Sequence, residues 1–325
     1  MTMEKSLVTG GAGFIGSQLV RTLLQEGHQV RVLDNFSTGK RANLEEIQTE
    51  IEIITGDIRD RSVIAEAVRD VDYIFHQAAF VSVPLSMERP YECFDINVGG
   101  TVKLLMEAQK TGGVRRVLLA SSSAVYGDNN EMPLREGAAI NALSPYAASK
   151  RAGEIYSELY SRVYDLDVIS LRYFNVYGPR QSPASDYAAV IPIFSQRLLE
   201  KEPPLVFGNG QQSRDFIFVE DVARANVLAA EAESAAGKAV NICTGEEVSI
   251  ISLLGILRDL ISREPRPRFV EARPGDIYRS VGDPDRAQAL LGFRAQTSFK
   301  EGLKKTVSWM AGEQDSTRSD FTLHE

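Results

Sequence analysis

Tyr146 and Lys150 stand four residues apart in Tyr146-Ala147-Ala148-Ser149-Lys150, directly after Ser144-Pro145. On a helix that spacing puts a phenol and an ammonium on one face. A tyrosine ordinarily ionises near pH 10. One positive charge at roughly 4 Å, in an effective dielectric of about 20, favours the phenolate by on the order of 4 kcal/mol, which is about three pKa units. A phenolate so placed can take a proton from an alcohol as hydride leaves its carbon. Taken alone, the pair is more simply a surface tyrosine and lysine of an amphipathic helix. Its surroundings change that reading. Upstream, Ser121-Ser122-Ser123-Ala124-Val125-Tyr126-Gly127 ends an apolar run, and a serine hydroxyl there can hydrogen-bond the oxygen of a substrate.

A second constellation lies at the start of the chain. Thr9-Gly10-Gly11-Ala12-Gly13-Phe14-Ile15-Gly16 fits G-x-G-x-x-G on Gly11, Gly13 and Gly16, and G-x-x-G-x-x-G on Gly10, Gly13 and Gly16. Glycines let a turn tighten and let backbone approach a pyrophosphate, which the N–H groups of a helix start then face. The motif is weak alone, but here an expected strand precedes it and an expected helix follows. Asp34 closes the next strand, placed to meet the two ribose hydroxyls of NAD and to repel the phosphate of NADP. Lys40 and Arg41 lie close enough in sequence to keep NADP as the alternative. Asp57-Ile58 ends the third strand, where an adenine edge could be met, and Ala78-Ala79 ends the fourth, where small side chains admit a cofactor.

These groups need a frame. Strands are expected at Ser6–Thr9, Gln29–Leu33, Ile51–Thr55, Tyr73–His76, Arg116–Ala120 and Asp167–Leu171. Helices are expected at Ser17–Glu26, Ser62–Val68, Tyr91–Lys110 and Pro145–Tyr164. Such alternation builds an α/β fold with a doubly wound parallel sheet. Beyond Arg172, Pro and Gly become frequent and the elements look shorter and mixed. A dinucleotide-binding domain is therefore expected over 1–172. A smaller substrate-binding lobe follows over 173–312, interleaved with the last sheet elements, and a polar tail over 313–325.

The 325 residues carry a net charge of -8 with no basic stripe, which speaks against a nucleic-acid partner. The two cysteines, Cys93 and Cys243, lack CxxC spacing or histidine partners, so no metal site is expected. No apolar run approaches the roughly 18 residues of a membrane span, and no signal segment is visible. A cytoplasmic setting is the expectation.

The chain resembles the extended short-chain dehydrogenase/reductase family, from Thr9 to about Trp309. The signs are T-G-G-A-G-F-I-G-S at 9–17, D-N-F-S-T-G at 34–39, H-Q-A-A at 76–79, S-S-A-V-Y-G at 122–127 and Y-A-A-S-K at 146–150. R-Y-F-N-V-Y-G-P-R-Q at 172–181, S-R-D-F-I-F-V-E-D-V at 213–222 and R-P-G-D-I at 273–277 complete them. Together they are similar to the nucleotide-sugar branch. The resemblance implies that Ser122, Tyr146 and Lys150 are catalytic. It implies NAD held by Gly10, Gly13, Phe14, Ile15, Asp34, Asn35, Ser37, Thr38, Gly39, Asp57, Ile58, Gln77, Ala78 and Ala79, with Tyr146 and Lys150. It places Ser82, Ser122, Ser123, Asn175, Val190, Arg214, Arg273, Asp276 and Ser280 on the substrate. Arg214 and Arg273 would clamp the diphosphate of a UDP- or dTDP-sugar, since a guanidinium fork matches phosphate oxygens. Asn175 would hold the diphosphate region and Asp276 the ribose.

Family dehydratases and decarboxylases carry an Asp-Glu pair after the loop serine or threonine, or a Glu two before the loop tyrosine. Here those positions are Ser123 and Ala124. The resemblance therefore implies 4-epimerisation of a UDP-sugar through a 4-keto intermediate. Four residues after the R-x-G-D aspartate stands Ser280, where related epimerases use a bulky residue to exclude N-acetyl sugars. With S-V-P-L-S at 82–86 and R-Q-S-P at 180–183, this points to UDP-GlcNAc/UDP-GalNAc, with UDP-Glc/UDP-Gal as a further pair. A decarboxylase or dehydratase, a UDP-glucuronate 4-epimerase and a non-catalytic NAD-binding scaffold stand as alternatives. The helices Tyr91–Lys110 and Pro145–Tyr164 carry spare apolar positions, and in the family two such helices pair with their copies in a four-helix bundle, so a homodimer is expected.

Overall fold

A computed structural model describes residues 3–183, 189–262, 266–272 and 277–319, with side chains as far as 312. Its centre is a seven-stranded, all-parallel sheet. The first six strands are β1 (Lys5–Thr9), β2 (Gln29–Asp34), β3 (Ile51–Thr55), β4 (Tyr73–His76), β5 (Arg116–Ser122) and β6 (Asp167–Tyr173). Four short strands follow: β7 (Asn175–Tyr177), β8 (Leu205–Phe207), β9 (Ser213–Arg214) and β10 (Phe216–Phe218). The seventh sheet strand is β11 (Ala239–Ile242), and β12 (Val248–Ser249), β13 (Arg268–Val270) and β14 (Arg279–Ser280) come after it. Across the large sheet the order is β3-β2-β1-β4-β5-β6-β11. The order reverses between β1 and β4, and a crevice opens there at the carboxyl ends of the strands.

The strands are apolar on both faces because helices cover both. Successive residues alternate between the two faces. Val8, Phe75, Leu118 and Ile169 enter one core, with α1 (Phe14–Gln25). Leu7, Ile74, Leu119 and Val168 enter the other, with α2 (Arg61–Ala67). Next in the chain come α3 (Val83–Glu88), α4 (Pro90–Phe94), α5 (Thr101–Thr111) and α6 (Pro145–Val163). The later helices are α7 (Val190–Leu199), α8 (Val219–Glu231), α9 (Ile250–Ile261), α10 (Asp285–Leu291) and α11 (Phe299–Ser319). Residues of α8 complete the first core, those of α5 and α6 the second. A separate core of Phe194, Leu198, Val206, Phe216, Leu253 and Leu303 joins α7, α9 and α11 to the short strands.

Three expectations are corrected. The helix expected over Tyr91–Lys110 is broken: α4 gives way to a π-helical turn, Asp95–Gly100, before α5 begins. Gly100 packs there against Ile58, whose Cδ1 would lie 2.7 Å from a Cβ on that glycine. β5 and β6 each run two residues further than their apolar runs, because Ser121 pairs with Arg172 and Ser122 with Tyr173 in register. The seventh strand, β11, falls in the region expected to interleave lobe and last sheet elements, and pairs with β6. Finally, the chain beyond Arg172 is not made of short elements alone, since α8 has 13 residues and α9 has 12.

Candidate active site

β1 delivers the chain to the glycine loop. Gly10 has φ 70, and a Cβ on it would lie 2.6 Å from the Ala78 amide nitrogen, so the loop after β1 and the segment after β4 touch backbone to backbone. A Cβ on Gly16 would run into the Gly10 carbonyl. Gly13 differs. It is the N-cap of α1, φ is -75, and its nearest protein neighbour would be Gly10 O at 3.2 Å. Packing requires glycine at 10 and 16, whereas at 13 a side chain would mainly fill the space in front of the helix. As a glycine, the N-cap residue supplies no side-chain cap to α1, and the first turn holds no acid. The first-turn N–H groups, at Phe14 and Ile15, have no intrahelical acceptor, the arrangement that suits a pyrophosphate.

The residues around that helix start fit the rest of a dinucleotide. Asp34, buried at the end of β2, accepts the N–H of Ala12 at 2.9 Å and of Phe36 at 2.8 Å, which ties its carboxylate to the loop. Asn35, Ser37 and Thr38 are exposed beside it, and Gly39 closes over Asp34 Oδ1. Asn35 Nδ2 donates to Asp57 at 2.8 Å. Arg59 forks onto Asp57 at 2.9 and 2.8 Å and holds that carboxyl well below the usual carboxylate range. Ile58 is buried beside it. Arg41 stacks on Phe36 at 4.0 Å and reaches Thr55. Ala78 and Ala79 are half-buried in the crevice, whereas the Gln77 amide is engaged by Tyr173 at 3.0 Å and Asn226 at 3.3 Å.

The catalytic candidates meet where β5 ends and α6 begins. Ser122 is the last residue of β5, and its Oγ caps a single 3-10 turn, Ser123–Tyr126, by accepting the Ala124 N–H at 3.2 Å. Ser144 caps α6 through the Ala147 N–H at 3.1 Å, with Pro145 as first helical residue. That puts Tyr146 in the first turn, its N–H donated to Ser86 Oγ at 3.2 Å. Ser86 belongs to α3, whose N-cap is Ser82. Lys150 is buried, and its ammonium donates to Ala120 O at 2.8 Å.

The electrostatics differ from the simple pair picture. Burial pushes the Tyr146 phenol above its ordinary range, while the nearby Ser122 hydroxyl pulls the other way. Lys150 Nζ is 5.8 Å from the Tyr146 ring centroid and is spent on Ala120 O. Burial lowers the lysine itself to about 8. In the chain alone the ammonium does not bring the phenol toward neutrality, because the same burial penalises both charged forms.

A polar chain behind this site was not read from the sequence. Thr101 Oγ1 donates to Asn97 O at 2.6 Å, so it accepts from His76 Nε2 at 2.9 Å, and His76 Nδ1 accepts the Thr9 hydroxyl at 2.7 Å. Burial pushes His76 down to about 3, so the ring is neutral. Asn97, in the π turn, binds Phe80 N at 2.7 Å and donates to Phe80 O at 3.0 Å and Ser149 Oγ at 2.9 Å. The signal available was a buried-side Asn and Thr inside an otherwise apolar helical period.

A cavity of about 660 Å³ borders the core of α7, α9 and the short strands, lined in part by Asn175, Tyr177, Val190, Arg214 and Phe216. It brings three expected substrate residues together. It begins two residues beyond Tyr173, the register partner of Ser122. Asn175 Nδ2 donates to Asp215 O at 3.1 Å, and Arg214 Nη1 to Ser213 O at 2.8 Å. Asp215, also missed from the sequence, is buried and accepts N–H groups of Thr244, Gly245 and Gly282, which pins Arg214 in place. Ser280 is buried on β14 in register with Arg214, but it does not line the cavity. Neither do Ser82, Ser122 and Ser123. Arg273 and Asp276 lie outside the described residues.

The model of the NAD dependent epimerase/dehydratase family matches residues 6–243. The chain belongs to this family. It is 40% identical over 311 residues to the UDP-glucose 4-epimerase of Mycolicibacterium smegmatis, covering 94% of this chain and 98% of that protein. The structure of UDP-N-acetylglucosamine 4-epimerase from Methanobrevibacter ruminantium M1, in complex with UDP-N-acetylmuramic acid, superposes with a TM-score of 0.92 at 38% identity, over 96% of this chain and 100% of that one. UDP-glucose 4-epimerase of Thermus thermophilus, in complex with NAD, gives 0.87 at 37%, over 95% and 99%. NAD is the cofactor of the family, and the N-terminus of α1, Asp34 and the Asp57 edge are the groups that fit it.

Proposed function

We propose that this chain is a UDP-sugar 4-epimerase acting on UDP-GlcNAc and UDP-GalNAc, with UDP-Glc and UDP-Gal as a second pair. NAD, when bound, would supply the hydride acceptor and donor at C4. With return to the opposite face of the 4-keto sugar, the reaction would invert C4 with no net redox change. Tyr146 takes the proton from the sugar 4-hydroxyl and later returns it. Ser122 hydrogen-bonds the same oxygen and steers that proton. Lys150, fixed on Ala120 O, supplies positive charge beside the phenol. The N-terminus of α1 and Asp34 hold and orient the dinucleotide, while Asn175 and Arg214 hold the diphosphate end of the substrate. Val190 lines the same cavity, and Arg273 and Asp276 take the roles the family resemblance implies, on the diphosphate and on the ribose.

The observation that carries the reading is the chemistry of the turn after Ser122. Ser123 and Ala124 offer no carboxyl group to drive elimination or decarboxylation, which leaves inversion at C4 as the reaction these side chains suit. The test is incubation with UDP-GlcNAc, UDP-Glc and UDP-GlcA without added NAD, followed by NMR. Epimers at C4 are expected from the first two, and release of CO2 or water would replace this reading with a decarboxylase or dehydratase.

We also propose a homodimer. Tyr91 and Phe94 of α4, Met106 of α5, and Ile155, Leu159 and Val163 of α6 are exposed. They recur at helical spacing on α6 and along the α4–π turn–α5 stretch, which together would form half of a four-helix bundle, and a second copy would bury them.

A further inference from the structure

Tyr146, Lys150 and Glu154 recur every fourth residue of α6 and form one stripe. Lys150 and Glu154 are both buried, and both reach β5. The Lys150 ammonium donates to Ala120 O at 2.8 Å, and Ser121 Oγ donates to Glu154 Oε1 at 2.6 Å. Arg172 of β6 forks onto the same carboxylate, Nε to Oε1 at 2.7 Å and Nη2 to Oε2 at 2.9 Å. Arg151 adds a third cationic contact at 2.9 Å. From Arg172 the network runs on. Nη1 donates to the Tyr126 hydroxyl at 2.8 Å, and that hydroxyl donates to Asn241 Oδ1 of β11 at 2.7 Å.

This one ion pair grips both ends of the segment that carries Ser122. Ser121 precedes Ser122 directly, and Tyr126 closes the turn that follows. That turn is a single 3-10 turn, whose poor hydrogen-bond geometry gives it little rigidity of its own. A buried ion pair adds little net stability, because desolvation offsets the attraction. What it can supply is direction, since a bidentate fork fixes both partners. Tyr126 is fully buried and Arg172 nearly so, so the grip is not loosened by solvent.

We propose that Glu154 and Arg172 are positioning residues for the reaction proposed above. They set the distance between Ser122 and the Tyr146–Lys150 stripe by tying α6 and the serine turn to one buried pair. Neither is assigned a contact with substrate or cofactor.

The test cuts the ties and leaves the pair. Ser121→Ala with Tyr126→Phe removes both tethers without stranding a charge, whereas Glu154→Gln would leave a buried guanidinium unpaired and can abolish folding. In the NAD-containing enzyme the double variant is expected to keep its NAD content, its circular dichroism and, within about twofold, its KM for the UDP-sugar. Its kcat is expected to fall by about 10- to 100-fold, the scale of a misplacement near 1 Å. A second readout does not need turnover. In protein labelled at tyrosine Cζ with carbon-13, the Tyr146 resonance, assigned by its loss in Tyr146→Phe, is expected to shift as Ser122 moves away. An unchanged kcat, a loss matched by lost NAD or lost fold, or an unmoved Tyr146 resonance would each overturn the inference. If the unaltered enzyme turns over no UDP-sugar, the proposed function fails, and the resonance alone decides this point.

Discussion

Replacing Lys150 by methionine should stabilise the NAD-free protein at neutral pH while abolishing its activity. The ammonium is buried, and burial lowers it from an ordinary value of 10.5 to about 8. At about 1.4 kcal/mol per pKa unit, that difference is roughly 3 kcal/mol of stability lost to holding the charge inside. Methionine fills a similar volume with no charge, but it leaves Ala120 O without its donor, at a cost of about 1 kcal/mol. The net gain for Lys150→Met at pH 7 is then about 2 kcal/mol. The sign reverses with pH. Below about 8 the lysine is protonated in both states and the full penalty is present. Between about 8 and 10.5 the unfolded chain keeps the proton and the folded chain has lost it, so the unaltered protein gains stability as pH rises. Above 10.5 neither state is charged, and the methionine variant is the weaker by about 1 kcal/mol. Urea unfolding of both NAD-stripped proteins from pH 7 to 10.5 should give curves that cross near pH 9 to 10, roughly where the 2 kcal/mol has been regained. A variant less stable than its parent at pH 7, by a margin that does not change with pH, would refute the reasoning.

Gly13→Ala and Gly16→Ala should separate binding from folding. The first should leave the melting temperature of the NAD-free protein within a few degrees and empty the purified protein of NAD, whereas the second should destabilise the fold by several kcal/mol (about 3 or more) through its collision with Gly10; equal effects on melting would count against the contrast. Tyr146→Phe should slow epimerisation by on the order of 10²- to 10⁴-fold with NAD content unchanged, and near-normal inversion at C4 would end its role as the proton carrier. Ser280→Tyr should suppress turnover of UDP-GlcNAc and spare UDP-Glc; the same loss on both sugars would detach Ser280 from sugar choice. Light scattering should give twice the chain mass, falling to one chain when Ile155 and Leu159 are both replaced by Glu. A monomeric parent protein would remove the bundle.

Several features were legible in the sequence because they are local. The glycine spacing, the alternation of apolar runs with amphipathic stretches, and the i, i+4 step from Tyr146 to Lys150 each depend on residues within one turn or one strand of each other. Six sheet strands and the start of α6 at Ser144-Pro145 followed from such rules, as did the acid at the end of β2. What tertiary structure decided involves partners far apart in the chain. In the π turn Gly100 seats against Ile58, and the Asn97 amide meets Phe80 and Ser149, contacts between segments far apart in the chain. β11 takes its place only by pairing with β6, and Glu154 meets Arg172 and Ser121 only once β5, β6 and α6 are packed together. The Tyr146 and Lys150 ionisations belong to the same class. Spacing sets how near two charges can come, but burial sets what each charge costs, and burial is a property of everything packed around them.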